Sequence, residues 1–267
     1  MSASAAHALR SGIPVRHGLT WARVTRVELR KMFNTRSGFW LIASIAISAV
    51  LATGGVILWA GDDQLTYSTF ATAIRFPVVV ILPLIAILSV TSEWSQRTGL
   101  TTFTLVPHRG RIIAAKAVSS VLIAVAAMVL TFAVGALGNL ASAAVTGTTL
   151  VWDVTWTQCL YYVLGMILSL LIGFMLGVLI RSSTGAIVAY FVLTFVLPTI
   201  FSLLAESQQW FRDLQPWVDV QFAQSGLFVF DQALTGEQWA NIAVTGLTWL
   251  LIPLAIGLGF VTRAEVK

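Results

Sequence analysis

The chain has 267 residues, 57% of them hydrophobic and only 10% charged, with a mean hydropathy of +0.87 and a formal net charge of +5. A soluble domain carries about 25% charged residues, so a single soluble core is excluded and the chain reads as an integral membrane protein. The lone Cys159 excludes an intramolecular disulfide and any cysteine-cluster metal site, and His7, His17 and His108 are too scattered to make a metal centre.

Residues 1–18 are small and polar and are expected to be disordered. They do not read as a signal peptide, because the first apolar run starts only near Phe39 and is too long for an h-region. Residues 19–36 are basic and predict an amphipathic helix lying in the membrane interface. At about 100° per residue, Arg23, Arg26 and Arg30 share an arc of roughly 60°, and Trp21, Val24, Val27 and Met32 lie away from it. Glu28 and Lys31 interrupt that apolar face. A basic topogenic flank without regular structure is the alternative.

A membrane-spanning helix needs about 20 apolar residues, and six such runs follow. The first is 39–60, closed by the acidic turn Gly61-Asp62-Asp63. The second is 72–92, with Pro77 and Pro83 inside it and Arg75 toward its outer end. Such prolines are tolerated in a membrane where neighbours satisfy the freed carbonyls. Arg75 is read either as a snorkelling interface arginine or as a contact to substrate or lipid phosphate.

A polar stretch, 93–116, separates spans two and three. Glu93 closes the second span and Lys116 opens the third, with a short amphipathic helix expected before Pro107. Two readings of this loop stand: a surface on which another subunit pushes, or a basic turn that only fixes topology. Span three runs to about residue 140, and 141–156 forms an outer loop with Trp152 and Trp156 as an aromatic belt. Span four, 157–180, carries Gly165, Ser169, Gly173 and Gly177, a small-residue stripe that invites close packing within the chain and should tolerate Ala. Arg181-Ser182-Ser183-Thr184 turns into span five, 185–205, which has Pro198 near its outer end. Residues 206–238 alternate aromatic and acidic residues and fit short interfacial or re-entrant helices. Span six is 240–262, and 263–267 is a short basic tail.

All but two of the 16 Lys and Arg, Arg75 and Arg212, fall on the side of the N-terminus, and all but Glu28, Glu93 and Glu265 of the 11 acids fall opposite. The positive-inside rule then puts both termini in the cytoplasm and requires an even number of spans. The expected fold is therefore all-α. A tail and interfacial helix occupy 1–38, a six-helix transmembrane domain occupies 39–262, and a cytoplasmic tail occupies 263–267.

No G-x-x-x-x-G-K-[ST] loop, H-E-x-x-H or G-x-S-x-G motif is present. Apart from Arg75 the spans look free of formal charge, which argues against an ion-coupled carrier. A membrane enzyme, an ATP-independent carrier and a scaffold are the competing classes.

The run Ser92-Glu93-Trp94, Arg97-Thr98, Thr101-Thr102, Pro107, Arg109, Arg111 and Ala114-Ala115-Lys116 resembles the loop between spans two and three of type-2 ABC transporter permeases, actinobacterial members especially. Val27-Glu28-Leu29-Arg30-Lys31 with Thr35-Arg36-Ser37 resembles their segment before the first span. The resemblance implies a non-catalytic permease subunit of an exporter in a bacterial plasma membrane, built from two copies or one copy and a paralogue. It implies a coupling helix in the loop, docked on a separate ATPase subunit that binds ATP and Mg. Glu93, Trp94 and Arg97 are then the coupling residues, with Arg109 and Arg111 flanking. Phe76, Phe191 and Phe195 line a pathway between spans two and five, which suits a lipophilic or amphipathic cargo. Membrane lipids are expected partners and nucleic acid is not.

Overall fold

The computed structural model describes residues 21–34, 36–95, 109–230 and 233–263. Helix α1 (Trp21–Asn34) is followed by α2 (Arg36–Trp59), α3 (Tyr67–Ser95), α4 (Arg109–Thr146) and α5 (Trp156–Ile180). Helix α6 begins as Ser183–Phe191, widens into a π turn at Val192–Val196 and continues as Leu197–Ser207. Two short helices follow, α7 (Gln209–Val218) and α8 (Val220–Ser225). Helix α9 begins as Gly236–Gly246, widens at Leu247–Leu251 and ends as Ile252–Arg263. Among the described residues there is no strand, and α2, α3, α4, α5, α6 and α9 are each long and apolar enough to cross a membrane. The six-span, all-α expectation therefore holds, and α1 forms where the basic amphipathic helix was expected.

Two boundaries differ from those read by hydropathy. Helix α3 starts at Tyr67, five residues before the apolar run. Its polar first turn is held by the loop after α4: Asp153 accepts hydrogen bonds from the Ser68 amide (2.9 Å) and hydroxyl (2.6 Å). A carboxylate at a helix N-terminus satisfies amides that have no partner within the helix. Helix α4 runs on to Thr146, and its Asn139 side chain donates to the Val151 carbonyl at 3.0 Å, which ties the following loop back against it.

Helix α5 is the centre of the bundle. Its apolar window is 61% buried, against 17% for α2 and 11% for α6. Tyr162, Met166, Leu170, Phe174 and Val178 recur every fourth residue, form one ridge and are all buried. Against lipid this ridge gains little from the hydrophobic effect, so its packing rests on close contact and hydrogen bonds. The small-residue stripe beside it supplies both, within the chain. Gly173 lies on Pro83 of α3 and Gly177 on Ile87, while Ser169 shares a 3.3 Å hydrogen bond with Tyr190 of α6.

Pro83 explains a further contact. It has no N–H, so the carbonyl four residues earlier loses its helical partner. That carbonyl belongs to Val79, and the Tyr190 hydroxyl donates to it at 2.6 Å. Each π turn also precedes a proline by two residues, Pro198 in α6 and Pro253 in α9. Widened turns of this kind accommodate a missing donor and are frequent at functional places.

The expectation that Ala fits the stripe fails at Gly173. A Cβ there stands 2.6 Å from the Pro83 Cβ and 2.8 Å from the Pro83 carbonyl oxygen, and the oxygen belongs to backbone that cannot swing away. Gly173→Ala is expected to lower the thermal unfolding temperature in detergent, and Gly173→Leu to abolish recovery of monodisperse protein. Equal unfolding temperatures for Gly173→Ala and wild type show that α3 and α5 separate at no cost.

Candidate functional site

At the end of the bundle that carries α1, the arginine face appears as expected. Arg23, Arg26 and Arg30 are exposed, and Met32 packs on the core. The inward face differs from expectation. Glu28, read from sequence as an interruption of the apolar face, is 5% exposed. It lies between Val24 and Met32 on one helix face. Its carboxylate accepts hydrogen bonds from Lys116 of α4 at 2.8 Å and from Lys31 at 2.6 Å. Lys116 is 5% exposed as well, and also donates to the Ser89 carbonyl of α3 at 2.9 Å. It lies two turns inside α4 rather than at the helix mouth, which corrects the reading of spans free of charge apart from Arg75.

Neighbouring contacts extend this lock. Ser119 donates to the Thr25 carbonyl of α1 at 3.3 Å, and Ser89 and Ser120 approach to 3.5 Å. Thr91 of α3 and Ser183 of α6 share a 2.7 Å hydrogen bond. The Arg111 guanidinium stands 5.1 Å from the Trp21 ring centre. Polar contacts thus join α1, α4, α3 and α6 close to where α3 and α4 run into residues 96–108.

Burial opposes ionisation of Glu28, but Lys116 and Lys31 together outweigh it, so its carboxyl is held below the usual carboxylate range. A group depressed in the fold stabilises it above the ordinary glutamate value. That contribution is lost as pH falls through the lowered one.

The expected coupling residues divide. Glu93 and Trp94 lie in the last turn of α3 and Arg109 begins α4, at the two roots of the loop. Arg111 joins them through its contact with α1. Arg97 and the helix expected before Pro107 lie outside the described residues. Of the expected pathway residues, Phe191 and Phe195 stack in α6 with ring centres 5.8 Å apart, and both are exposed. Phe76 is 70% exposed on α3 and makes no ring contact with them. Glu28 and Lys116 had only one sequence signal between them, a carboxylate in the middle of an apolar stripe.

At the opposite end, the segment after α6 folds back on the bundle. Asp219 caps α8, accepting from the Gln221 and Phe222 amides at 3.0 and 3.1 Å. Trp249 of α9 donates to the Val218 carbonyl at 2.7 Å. Phe228 then reaches Gly165 of α5, and Phe230 stacks on Tyr162 at 5.6 Å. These two rings enter well below the start of α5, between helices whose interfacial or re-entrant character the sequence left open.

These features define a multi-pass, all-α membrane protein with a basic amphipathic helix locked to its spans. The chain belongs to the family described as "Protein of unknown function (DUF2705)", whose model matches residues 39–258. No curated protein matches the chain.

The lock predicts a marked asymmetry between its partners. Lys116→Met leaves the Glu28 carboxylate buried with only the half-exposed Lys31, and breaking a buried pair this way costs about 3 kcal/mol. Glu28→Gln costs less, and the double variant is more stable than Lys116→Met alone. Thermal unfolding in detergent measures all three. The gap between wild type and Glu28→Gln should narrow as pH is lowered below the ordinary glutamate range. A Lys116→Met protein that unfolds with wild type shows that the pair holds nothing.

Proposed function

We propose that the chain is the permease subunit of an ATP-driven type-2 ABC exporter, working as two copies or with a paralogue, and served by a separate ATPase subunit that binds ATP and Mg. The observation that carries this reading is the Glu28–Lys116–Ser89 lock. A force applied where α3 and α4 meet residues 96–108 is useful only if several helices receive it together. The lock gives α1, α3 and α4 one rigid root, and the Thr91–Ser183 bond extends it to α6. Glu93, Trp94 and Arg97, flanked by Arg109 and Arg111, are the contact surface for the ATPase.

Basic residues concentrate at this root, so the positive-inside rule orients it toward the cytoplasm of a bacterial cell, where ATP is available. Closure of the ATPase dimer pushes the root and switches the pathway between inward-open and outward-open. The little-buried faces of α2 and α6 supply surface for the second copy, and Phe76, Phe191 and Phe195 supply apolar wall for a lipophilic or amphipathic cargo. This subunit performs no chemistry of its own.

Topology is tested first. Reporters fused after Asp63, Asp153 and Asp219 are expected to read as external, and those after Gly110 and Ser183 as cytoplasmic. A cytoplasmic reading at Asp219 overturns the six-span topology, because the acidic aromatic segment then lies on the wrong side.

Coupling is tested next. Exposed ion pairs are worth about 0–1 kcal/mol to a fold, whereas an anchor residue at a protein interface is worth more than about 1 kcal/mol. The double substitution Glu93→Ala with Arg97→Ala is therefore expected to leave insertion and oligomeric size intact. It should weaken co-purification of the partner ATPase subunit, or leave its ATP hydrolysis without cargo stimulation. Normal binding and normal transport by the double variant reduce the loop to a topogenic turn.

A further inference from the structure

Arg75 is the one arginine of the described spans drawn well below the helix ends. It is the ninth residue of α3, about 12 Å along the axis from Tyr67. The candidate span of α3, Tyr67–Ser92, polar first turn included, holds 26 residues, about 38 Å of helix against roughly 30 Å of hydrocarbon. Centred in a bilayer, it carries Arg75 about 8 Å inside the apolar layer.

The side chain does not rise out of that layer. Its guanidinium carbon lies 3.8 Å from the centre of the Phe228 ring, and that ring closes on Gly165, the tenth residue of α5. Gly165 is about 13 Å from the start of its own helix. The two helices start side by side, since Ser68 of α3 bonds Asp153 just before α5. The ring that holds the guanidinium is thus as deep as Arg75 itself, which excludes a snorkelling arrangement.

A ring stacked on one face of a guanidinium leaves its N–H edges open, and these edges match the oxygens of a carboxylate or phosphate in pairs. Among the described residues, none accepts a hydrogen bond from the Arg75 guanidinium. The nearby Tyr162 hydroxyl donates to the Ala71 carbonyl at 2.8 Å. Arg212, by contrast, is satisfied by the Ala205 and Glu206 carbonyls at 3.0 and 3.3 Å. A cation at this depth with open donors needs an anion. Arg75 is only half buried, and the adjoining Thr72 and Phe76 are exposed, so an anion can reach it from the face of α3 that bears them.

We propose that Arg75, backed by Phe228, is a membrane-embedded binding site for the phosphate or carboxylate head of an anionic amphiphile, whose apolar chain lies along Phe76. The site stands whether or not the chain works with an ATPase, because it uses only the membrane placement of α3 and Phe228.

The test titrates the detergent-purified full chain with phosphatidylglycerol, with phosphatidylcholine and, separately, with inorganic phosphate, and counts bound species by native mass spectrometry. Arg23, Arg26 and Arg30 at the other end also attract anionic lipid, so the reading is the difference between wild type and Arg75→Gln. Wild type is expected to hold one phosphatidylglycerol about tenfold more tightly than Arg75→Gln does, with phosphatidylcholine indifferent to the change. Arg75→Lys keeps part of the preference and Phe228→Leu weakens it several-fold. Loss of inorganic phosphate binding in Arg75→Gln, with lipid binding unchanged, assigns the same site to a free anion. Equal binding of both lipid and phosphate by wild type and Arg75→Gln overturns the proposal. Should Arg75→Gln not fold, Arg75→Lys and Phe228→Leu decide it: if both bind as wild type does, the proposal is overturned.

Discussion

A carboxylate on α1 and an ammonium group on α4, 2.8 Å apart and both all but sealed from solvent, determine how the basic helix relates to the membrane bundle. Without that pair α1 has reason only to lie on lipid, its arginines among headgroups and its apolar side below. With it, α1 is fastened to α4, and through the Ser89 carbonyl to α3. A buried ion pair is weak support for stability, because desolvation offsets most of the attraction. It is strong support for register, because one partner without the other is costly. Only one seating of α1 satisfies Glu28, Lys116 and Ser89 together, and that seating brings Trp21 beneath Arg111.

The rest of the bundle follows from a different constraint, the need to fill space and satisfy backbone in a medium that supplies neither water nor a hydrophobic drive. Helix α5 answers it with a ridge of large residues and an adjoining strip of small ones. The strip admits Pro83 so closely that no side chain fits between, and the carbonyl which that proline orphans is taken by Tyr190. Packing and hydrogen bonding are thus solved by the same pair of helices. Helices α2 and α6 stay at the margin with apolar faces open, and α6 also carries a widened turn at Val192–Val196. The helix with the least burial and the least regular hydrogen bonding is the one best suited to move against its neighbours.

The six spans were legible because hydropathy over 20 residues needs no knowledge of partners, and the arginine face of α1 was legible because period 3.6 is local. The polar start of α3 was not, since Asp153 holds it from 85 residues away. Glu28 was misread for the same reason: its partner lies 88 residues on, and an isolated wheel shows a carboxylate on an apolar face with nothing to explain it. The glycine stripe of α5 was visible, but not that Pro83 would press backbone against Gly173, so the tolerance for Ala was overstated. Arg75 was left between two readings, because only Phe228, 153 residues on, fixes which way its side chain turns. Prolines at 198 and 253 were the sole trace of the π turns. Phe191 and Phe195 stack on one helix and Phe76 stands apart from them, a grouping that the sequence did not show.

The central claim is that α1 is held to the spans by the Glu28–Lys116 pair rather than by lipid. Hydrogen–deuterium exchange of the full chain in lipid nanodiscs tests it most directly, comparing wild type with Lys116→Met. In wild type the α1 amides should exchange as slowly as those of the neighbouring turns of α4. In Lys116→Met, protection of α1 should fall by at least tenfold while α5 stays unchanged. Identical, slow exchange of α1 in both proteins contradicts the account, because the bilayer alone then suffices to hold the helix in place.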